Sequence, residues 1–345
     1  MSDLRFAVVG LGYWGPNLAR NLVGLSGAEL SVLCDERPGA LETLLARYPA
    51  TRGTTEYERV LADPDVDVVA IATPIGTHYA LARAALEAGK HVFVEKPLAA
   101  SLEEGEKLVR LAAGRGLVLM PGHTFLYSPP VQLVKELIVS GELGDIYFIS
   151  TSRVNLGLHQ SDASVVWDLG PHDFSILQYW LGEAPSHVTA LSRGCVIPGT
   201  PDVAFVNVEY GSGVIAHVEL AWLAPSKLRR TTVVGSRKMV VYDDTSGEPV
   251  RVFDSGVTIR DPDSFGEFQL SYRTGDIVSP RVDASEPLAI ELADLCEAIR
   301  TGTVPRSSDV IGLDVVRVVV AAERSLRGGG VRTPVEAAGS PVSPT

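Results

Sequence analysis

The segment VVGLGYWG, residues 8–15, followed by an aspartate at position 35, restricts the fold more than any other feature of the chain. A short apolar strand, Phe6–Val9, runs into Gly10, Gly12 and Gly15 in GxGxxG spacing, and a helix is expected over Trp14–Leu25. The three glycines have separate physical duties: a tight turn, room for a pyrophosphate against the backbone, and close packing of helix on sheet. The helix start offers unpaired N–H groups to an anion. Asp35 comes 20 residues after Gly15, at the end of a second strand, Leu30–Cys34. A carboxylate placed there can accept from the ribose hydroxyls of adenosine and repel a 2′-phosphate. NAD is therefore the expected cofactor, with NADP left open by the neighbouring Arg37. Tyr13 and Trp14, inside the loop, join Gly10, Gly12, Gly15 and Asp35 as candidate cofactor contacts. A structural turn with a solvated acid is the plainer alternative.

The rest of the first third alternates strand-like and helix-like segments. Helices are expected near Gly39–Tyr48, Thr55–Ala62, Thr77–Ala88 and Leu102–Ala113. Between them lie an extended piece at Ala50–Gly53, the apolar run VDVVAIA (66–72), the strand opening VFVEKPLA (92–99) and Leu117–Met120. An unbroken apolar run suits a parallel strand buried on both faces. The alternation predicts an α/β fold with a doubly wound parallel sheet, whose ligand binds beyond the carboxyl ends of the strands. That places Thr73, Pro74 and His78, from ATPIGTHYA, and Glu95 and Lys96, from VEKP, at the cofactor crevice. Thr77 is read as the N-cap of its helix. A surface lysine at a strand end is the bland reading of EKP, until three strand ends converge on one crevice.

At 345 residues the chain exceeds the size of a single core, so two domains are expected. A net charge of −12 argues against nucleic acid or an anionic membrane as partner. Cys34, Cys195 and Cys296 form no CxxC pair and read as buried thiols of a reducing compartment. The opening MSDLRFAVVG lacks a signal-peptide layout, and no apolar run reaches the ~18 residues of a membrane span. A cytoplasmic chain is expected.

After residue 122 the rhythm changes. Helices are expected at Val131–Val139, Asp173–Leu181, Leu288–Arg300 and Val310–Ser325, among strands at Ile146–Arg153, Val188–Cys195, Val203–Tyr210, Val214–Trp222, Thr231–Val234, Met239–Asp243 and Val250–Phe253. Residues 1–122 form the expected dinucleotide-binding domain, and 123–327 an α/β domain for substrate and oligomerisation. The Gly/Pro/Ser-rich segment 328–345 reads as a disordered tail. Along two strands one face is wholly apolar and suits a cover of helices. The other, with Phe205, Ile215 and Ala221 among polar residues, suits a homodimer or homotetramer contact.

In WDLGPHDFSIL (167–177), Asp168 and His172 are four apart and can share a helix face. A histidine suits proton transfer near neutral pH, and a carboxylate fixes its tautomer. Helix capping by Asp168 beside a satisfied histidine is the alternative. No third ligand accompanies the pair at metal-binding spacing, so no metal is expected. Lys227, Arg229, Arg230, Arg237 and Lys238 cluster without an acid between residues 226 and 239. A solvated or subunit-facing strand pair is the favoured reading; attraction for a nucleotide diphosphate is the functional one.

GLGYWG, ATPIGTH, VEKPLA and DLGPH, in this order, resemble the Gfo/Idh/MocA family (glucose–fructose oxidoreductase and inositol dehydrogenase relatives) over roughly residues 4–325. The resemblance implies a second domain with an open, mostly antiparallel sheet, and oxidation or reduction of sugars, cyclitols or nucleotide-sugars with NAD or NADP. It implies Lys96, Asp168 and His172 as the catalytic group, with Glu95 and Lys96 touching the nicotinamide ribose. GHTFLYSP (122–129) replaces an arginine-bearing segment of many relatives, which leaves Tyr127 as a substrate candidate there. WDLGPHD and SRVNLG (152–157) look like the branch that handles nucleotide-linked sugars, adding Arg153 and Asn155 to His172 as substrate contacts. Lys96 would hydrogen-bond the reacting hydroxyl and His172 would take its proton; lysine as the direct acid/base stays open. Competing expectations are a dehydrogenase of a free sugar or inositol, an NAD-dependent glycosidase, and a sensor that binds NAD without chemistry.

Overall fold

The computed structural model describes residues 3–157, 159, 163–260 and 269–336. They form two compact units. The first holds residues 3–127 together with Ser285–Arg317; the second holds Ser128–Ala284 and, beyond residue 317, the described remainder. The division differs from the boundary expected at 122, because the chain returns to the first unit for a late helical segment.

The first unit is a parallel six-stranded sheet, β1 (Leu4–Val9), β2 (Ala28–Cys34), β3 (Arg52–Thr54), β4 (Val68–Ile71), β5 (His91–Glu95) and β6 (Leu119–Gly122), in the order β3-β2-β1-β4-β5-β6. Helices α1 (Gly15–Gly24), α2 (Pro38–Arg47), α3 (Tyr57–Ala62), α4 (Ile75–Glu87) and α5 (Leu102–Arg115) connect the strands. β4 is buried at every position, as its unbroken apolar run requires of a strand covered on both faces. The Ser101 hydroxyl caps α5 by accepting from the Glu104 N–H, and Gly116 closes it with φ 65°. No side chain caps α1; Pro16 brings no N–H, and the Asn17 and Leu18 N–H groups turn back to the Trp14 carbonyl at 2.9 and 3.3 Å. α4 begins at Ile75, two residues earlier than expected, so Thr77 is not its N-cap. Instead the Thr77 hydroxyl lies 2.7 Å from both Thr73 Oγ1 and the Pro74 carbonyl, where its one proton serves the carbonyl and it accepts from Thr73.

The late segment adds α8 (Pro287–Thr301) and the start of α9 (Asp309–Arg327), and α8 packs on the short 3-10 turn Thr124–Tyr127.

The second unit carries α6 (Pro129–Val139), α7 (Val165–Leu181) and a nine-stranded sheet. Its strands are β7 (Ile146–Val154), β8 (Pro185–Arg193), β9 (Val203–Tyr210), β10 (Ile215–Ala221), β11 (Leu228–Gly235), β12 (Met239–Asp243), β13 (Val250–Arg260), β14 (Gln269–Val278) and β15 (Thr333–Pro334). The order is β14-β13-β12-β11-β7-β10-β9-β8-β15, and every pairing is antiparallel except β7 with β10. Ala204, Val206, Val208, Ala216, Val218 and Leu220 are buried, and α7 packs on β7, β9 and β10.

Three expectations change here. α7 starts at Val165, not Asp173, and runs through Gly170 and Pro171. A Gly-Pro pair normally ends a helix, but packing against the sheet outweighs it. A Cβ at Gly170 would crowd Phe174 at 2.8 Å and touch Leu220 at 3.5 Å. β15 pairs with β8, and Arg332 forms an ion pair with Glu209, so the described start of the expected tail is structured; residues 337–345 lie outside the described residues. Cys195 is exposed rather than buried.

Candidate active site

In the first unit the sheet order sets the neighbours. β1 lies between β2 and β4, which run out to opposite edges, so the strand order reverses at β1. Such a switch point opens a crevice at the carboxyl ends of the strands. The ends of β2, β1, β4 and β5 are therefore neighbours, and Asp35, Gly10, Thr73 and Glu95–Lys96 follow them in the chain.

Gly10 has φ +89°, and a Cβ there would strike Thr73 Cγ2 at 2.6 Å and the Ala72 carbonyl at 2.7 Å. A Cβ at Gly15 would run into the Gly10 carbonyl, whereas one at Gly12 meets nothing within 4 Å. The first and third glycines are thus demanded by packing, and the open space at Gly12 fits a pyrophosphate laid against the backbone. Tyr13 is 89% exposed at the rim.

Asp35 accepts from the Leu11 N–H at 2.7 Å, which fastens the glycine loop to the end of β2. Arg37 donates to it through its backbone N–H, Nε and Nη2, at 2.9, 2.9 and 3.0 Å. The Arg37 guanidinium, helped by the Leu11 N–H against the penalty of burial, holds the Asp35 carboxyl down at about 2. Those four bonds fill the lone pairs of a carboxylate. A ribose hydroxyl must therefore displace part of Arg37 to reach it.

His78 does not fill the role of a cofactor contact. It is buried, with Nδ1 2.8 Å from the Pro97 carbonyl and Nε2 2.9 Å from that of Thr73. Both ring nitrogens face the chain itself, and the side chain braces the β4 end against the EKP segment. The Lys96–Pro97 peptide bond is cis. Lys96 is half-buried, Pro97 buried. Burial pushes the Glu95 carboxyl up to about 8, against the pull of Lys96 beside it.

Tyr127 is fully buried, and its hydroxyl donates to Asp294 at 2.7 Å and accepts from the Ser307 N–H at 2.9 Å. It ties the 3-10 turn to the late segment, so the substrate contact expected of it is withdrawn.

In the second unit, Asp168 and His172 stand one turn apart on α7. The Trp222 indole N–H donates to Asp168 Oδ2 at 3.0 Å. Trp222 is itself pinned at the end of β10 by its N–H to the Asp202 carbonyl (2.9 Å) and its carbonyl to the Gly157 N–H (3.0 Å). His159 packs edge-on against its ring. The motif reading missed Trp222, because its role depends on strand register and not on spacing. Arg153 is buried and gives Nε and Nη2 to Asp173 at 2.6 and 3.3 Å. It locks β7 to α7, which corrects its assignment as a substrate contact. Asn155 Oδ1 is buried without a hydrogen-bond partner among the described residues. The basic cluster is partly neutralised by acids distant in sequence, with Arg229 bonded to Asp244 at 3.0 Å and Lys238 to Glu142 at 2.7 Å.

A switch-point crevice, a glycine loop with open space and a saturated acid at the second strand define an NAD-binding oxidoreductase of Rossmann type. Comparison with known proteins agrees. Residues 4–123 match the oxidoreductase family with an NAD-binding Rossmann fold, and residues 131–241 match the GFO/IDH/MocA C-terminal domain. The chain belongs to the Gfo/Idh/MocA family. It is 28% identical over 341 residues to scyllo-inositol 2-dehydrogenase (NAD(+)) of Bacillus subtilis (strain 168), covering 95% of each chain. D-apiose dehydrogenase of Rhizobium rhizogenes (strain K84) is 26% identical, over 64% of this chain and 67% of its own. The crystal structure of GenD2 from gentamicin A biosynthesis, in complex with NAD, superposes with a TM-score of 0.82 at 26% identity, over 98% of this chain and 97% of the other.

Proposed function

We propose that the chain is an NAD-dependent dehydrogenase or reductase acting on a CH–OH carbon of a sugar, with a nucleotide-linked sugar as the first substrate class. The observation that carries the reading is the row of strand ends, where Lys96 stands at the end of β5 beside the glycine-loop crevice. When bound, the nicotinamide accepts or returns a hydride at the reacting carbon. The ammonium of Lys96 hydrogen-bonds the reacting oxygen and stabilises charge developing on it. The imidazole of His172 takes the hydroxyl proton in oxidation and returns it in reduction, while Asp168, oriented by Trp222, fixes the ring. Lys96 belongs to the first compact unit and His172 to the second. Asn155 Oδ1 would accept from a substrate hydroxyl.

The likeness of WDLGPHD and SRVNLG to the nucleotide-sugar branch supports the nucleotide-linked form. A free cyclitol is the second reading, favoured by the full-length similarity to a scyllo-inositol dehydrogenase. NADH formation across UDP- and dTDP-sugars, free sugars and inositols decides between them. Turnover at least ~100-fold better on a nucleotide-sugar than on its free sugar is expected; the reverse ranking overturns the first reading, and no NADH from any of them overturns both. We also infer that copies of the chain associate through the outward face of the nine-stranded sheet.

A further inference from the structure

In the second unit, the indole that donates to Asp168 is enclosed by groups the proposed chemistry does not use. Trp222 is buried, and the turn after β7 bounds its ring: a Cβ on Gly157 would lie 3.0 Å from Trp222 Cδ1 and 3.0 Å from Asn155 Oδ1. The His159 ring meets the indole edge-on, with centroids 5.5 Å apart and planes at 60°, a favoured arrangement of two aromatic rings. His159 Nε2 lies 3.7 Å from Asp202 Oδ2. That carboxyl is buried; its two oxygens accept from the Cys195 N–H at 3.0 and 2.9 Å, and Oδ2 from the Val196 N–H at 2.8 Å. Against the penalty of burial, the Val196 and Cys195 N–H groups and the Cys195 thiol, with His159, hold it below the usual carboxylate range.

Closing the turn between β8 and β9 accounts for the two N–H groups on Asp202. It does not account for His159, whose Nε2 is buried and has no hydrogen-bond partner among the described residues. The 3.7 Å to Asp202 suits a charge contact and exceeds a hydrogen bond. A buried polar atom in that condition is uncommon and asks for a reason. The reason lies in what the ring touches: an anion at Nε2 and the indole at its edge. The main chain makes the same connection. The Asp202 carbonyl accepts from the Trp222 N–H at 2.9 Å, and the carbonyl of Pro201 accepts at 3.0 Å from the N–H of Val165, the first residue of α7. One short segment thus fixes both the tryptophan backbone and the start of the helix that bears Asp168. We propose that Asp202 and His159 are positioning residues, which hold the Trp222 indole at the angle from which its N–H reaches Asp168.

The consequence for turnover rests on the dehydrogenase reading, but the clamp on the indole does not. An indole free to turn takes a donor away from Asp168, and the carboxylate that fixes His172 loses its orientation. The proton transfer then slows, whereas the glycine loop and Asp35, which belong to the first unit, keep their hold on NAD.

Nuclear magnetic resonance of the indole N–H groups in the full chain, isotope-labelled at tryptophan, tests the clamp without reference to turnover. The chain has four tryptophans, and loss of one signal in Trp222→Phe assigns the relevant one. In His159→Ala the Trp222 signal should shift and exchange faster with solvent, while those of Trp14 and Trp180 stay in place. Asp202→Asn should move the same signal in the same direction. A Trp222 signal unmoved in His159→Ala overturns the proposal, and one unmoved in Asp202→Asn removes the carboxylate from it. Should His159→Ala fail to fold, His159→Gln, which drops the ring, should displace the signal, and His159→Phe, which keeps an edge-on ring, should restore it toward the native position. Equal displacement in the two overturns the role of the ring. Kinetics then test the action through the indole. His159→Ala should lower kcat by roughly 10–10²-fold, as a small misplacement at a reacting group does, with the NAD dissociation constant unchanged. In a Trp222→Phe background the same substitution should cost nothing more; additive losses overturn action through Trp222. A chain that forms no NADH with any substrate, yet shows the shifted signal, would sink the dehydrogenase reading and leave the clamp standing.

Discussion

At the scale of single residues, Asp35 and Arg37 form the point where cofactor preference is set. Arg37 neutralises the carboxylate that would otherwise repel a 2′-phosphate, so the preference for NAD should be moderate. Arg37→Ala bares that charge and should raise the ratio of NADP to NAD dissociation constants by about tenfold, or ~1.4 kcal/mol; fluorescence titration checks it, and an unchanged or smaller ratio would show that Arg37 does not shield Asp35. The same carboxyl is depressed to about 2 from 3.8. Its stabilisation is therefore present above 3.8 and lost as pH falls toward 2. For the proposed chemistry, Lys96→Met and His172→Ala should retain NAD binding and lower kcat by roughly 10²–10⁴-fold. The limb of kcat near neutral pH should vanish in His172→Ala and persist in Lys96→Met. If the limb vanishes only in the lysine variant, the two roles are exchanged.

At the scale of elements, the buried Arg153–Asp173 pair fastens β7 to α7, the helix that carries Asp168 and His172. Thr151 adds its hydroxyl to Asp173 at 2.9 Å. Asp173→Ala strands a buried guanidinium and should cost about 3–5 kcal/mol of stability. The urea midpoint measures this, and replacing both partners with apolar residues should recover part of the loss. A midpoint unmoved by Asp173→Ala would mean that β7 and α7 hold without the pair. This pair also shows what sequence could and could not reveal. Most of the six-stranded sheet was legible because its inner strands are short, apolar and separated by helices with their own period, and the glycine loop advertised its turn; the edge strand β3, Arg52–Thr54, has no buried residue and showed only as an extended piece. VEKP and DLGPH were legible as motifs. The start of α7 was not, since Gly-Pro punctuation gave way to packing on Leu220. β14 escaped because it has no buried face to print an apolar pattern: Tyr272 is 75% and Ile277 62% exposed. Arg153, Tyr127 and His78 were misassigned for one reason. Each has the chemistry of a contact residue, and its partner (Asp173, Asp294, or the Thr73 and Pro97 carbonyls) is chosen by tertiary approach, which spacing along the chain does not encode.

At the scale of the whole molecule, one large surface decides whether a single chain is the working unit. Cross-strand register puts Phe148 opposite Ile215, and Glu219 opposite Phe205, which in turn faces Leu191. All four apolar residues lie on the sheet face turned away from α7 and are 46%, 52%, 43% and 60% exposed. Nine strands at ~4.8 Å spacing give a face about 40 Å across. With an eight-residue strand such as β9 spanning roughly 25 Å, that is on the order of 1,000 Å². The figure exceeds the ~800 Å² that each partner contributes to a standard stable interface. Exposed apolar patches of more than a few hundred Å² are unusual on monomers. His217 stacks on Phe205 and bonds Asn207 at 2.8 Å, which places satisfied polar groups among the apolar ones. The native chain should therefore sediment as a dimer or tetramer at micromolar concentration. Ile215→Lys with Phe205→Glu should shift it to monomer, since desolvating two charges without fixed partners opposes association by several kcal/mol. A native chain that sediments as a monomer, or a variant that keeps the native mass, would move the contact away from this face and leave its apolar residues without a partner.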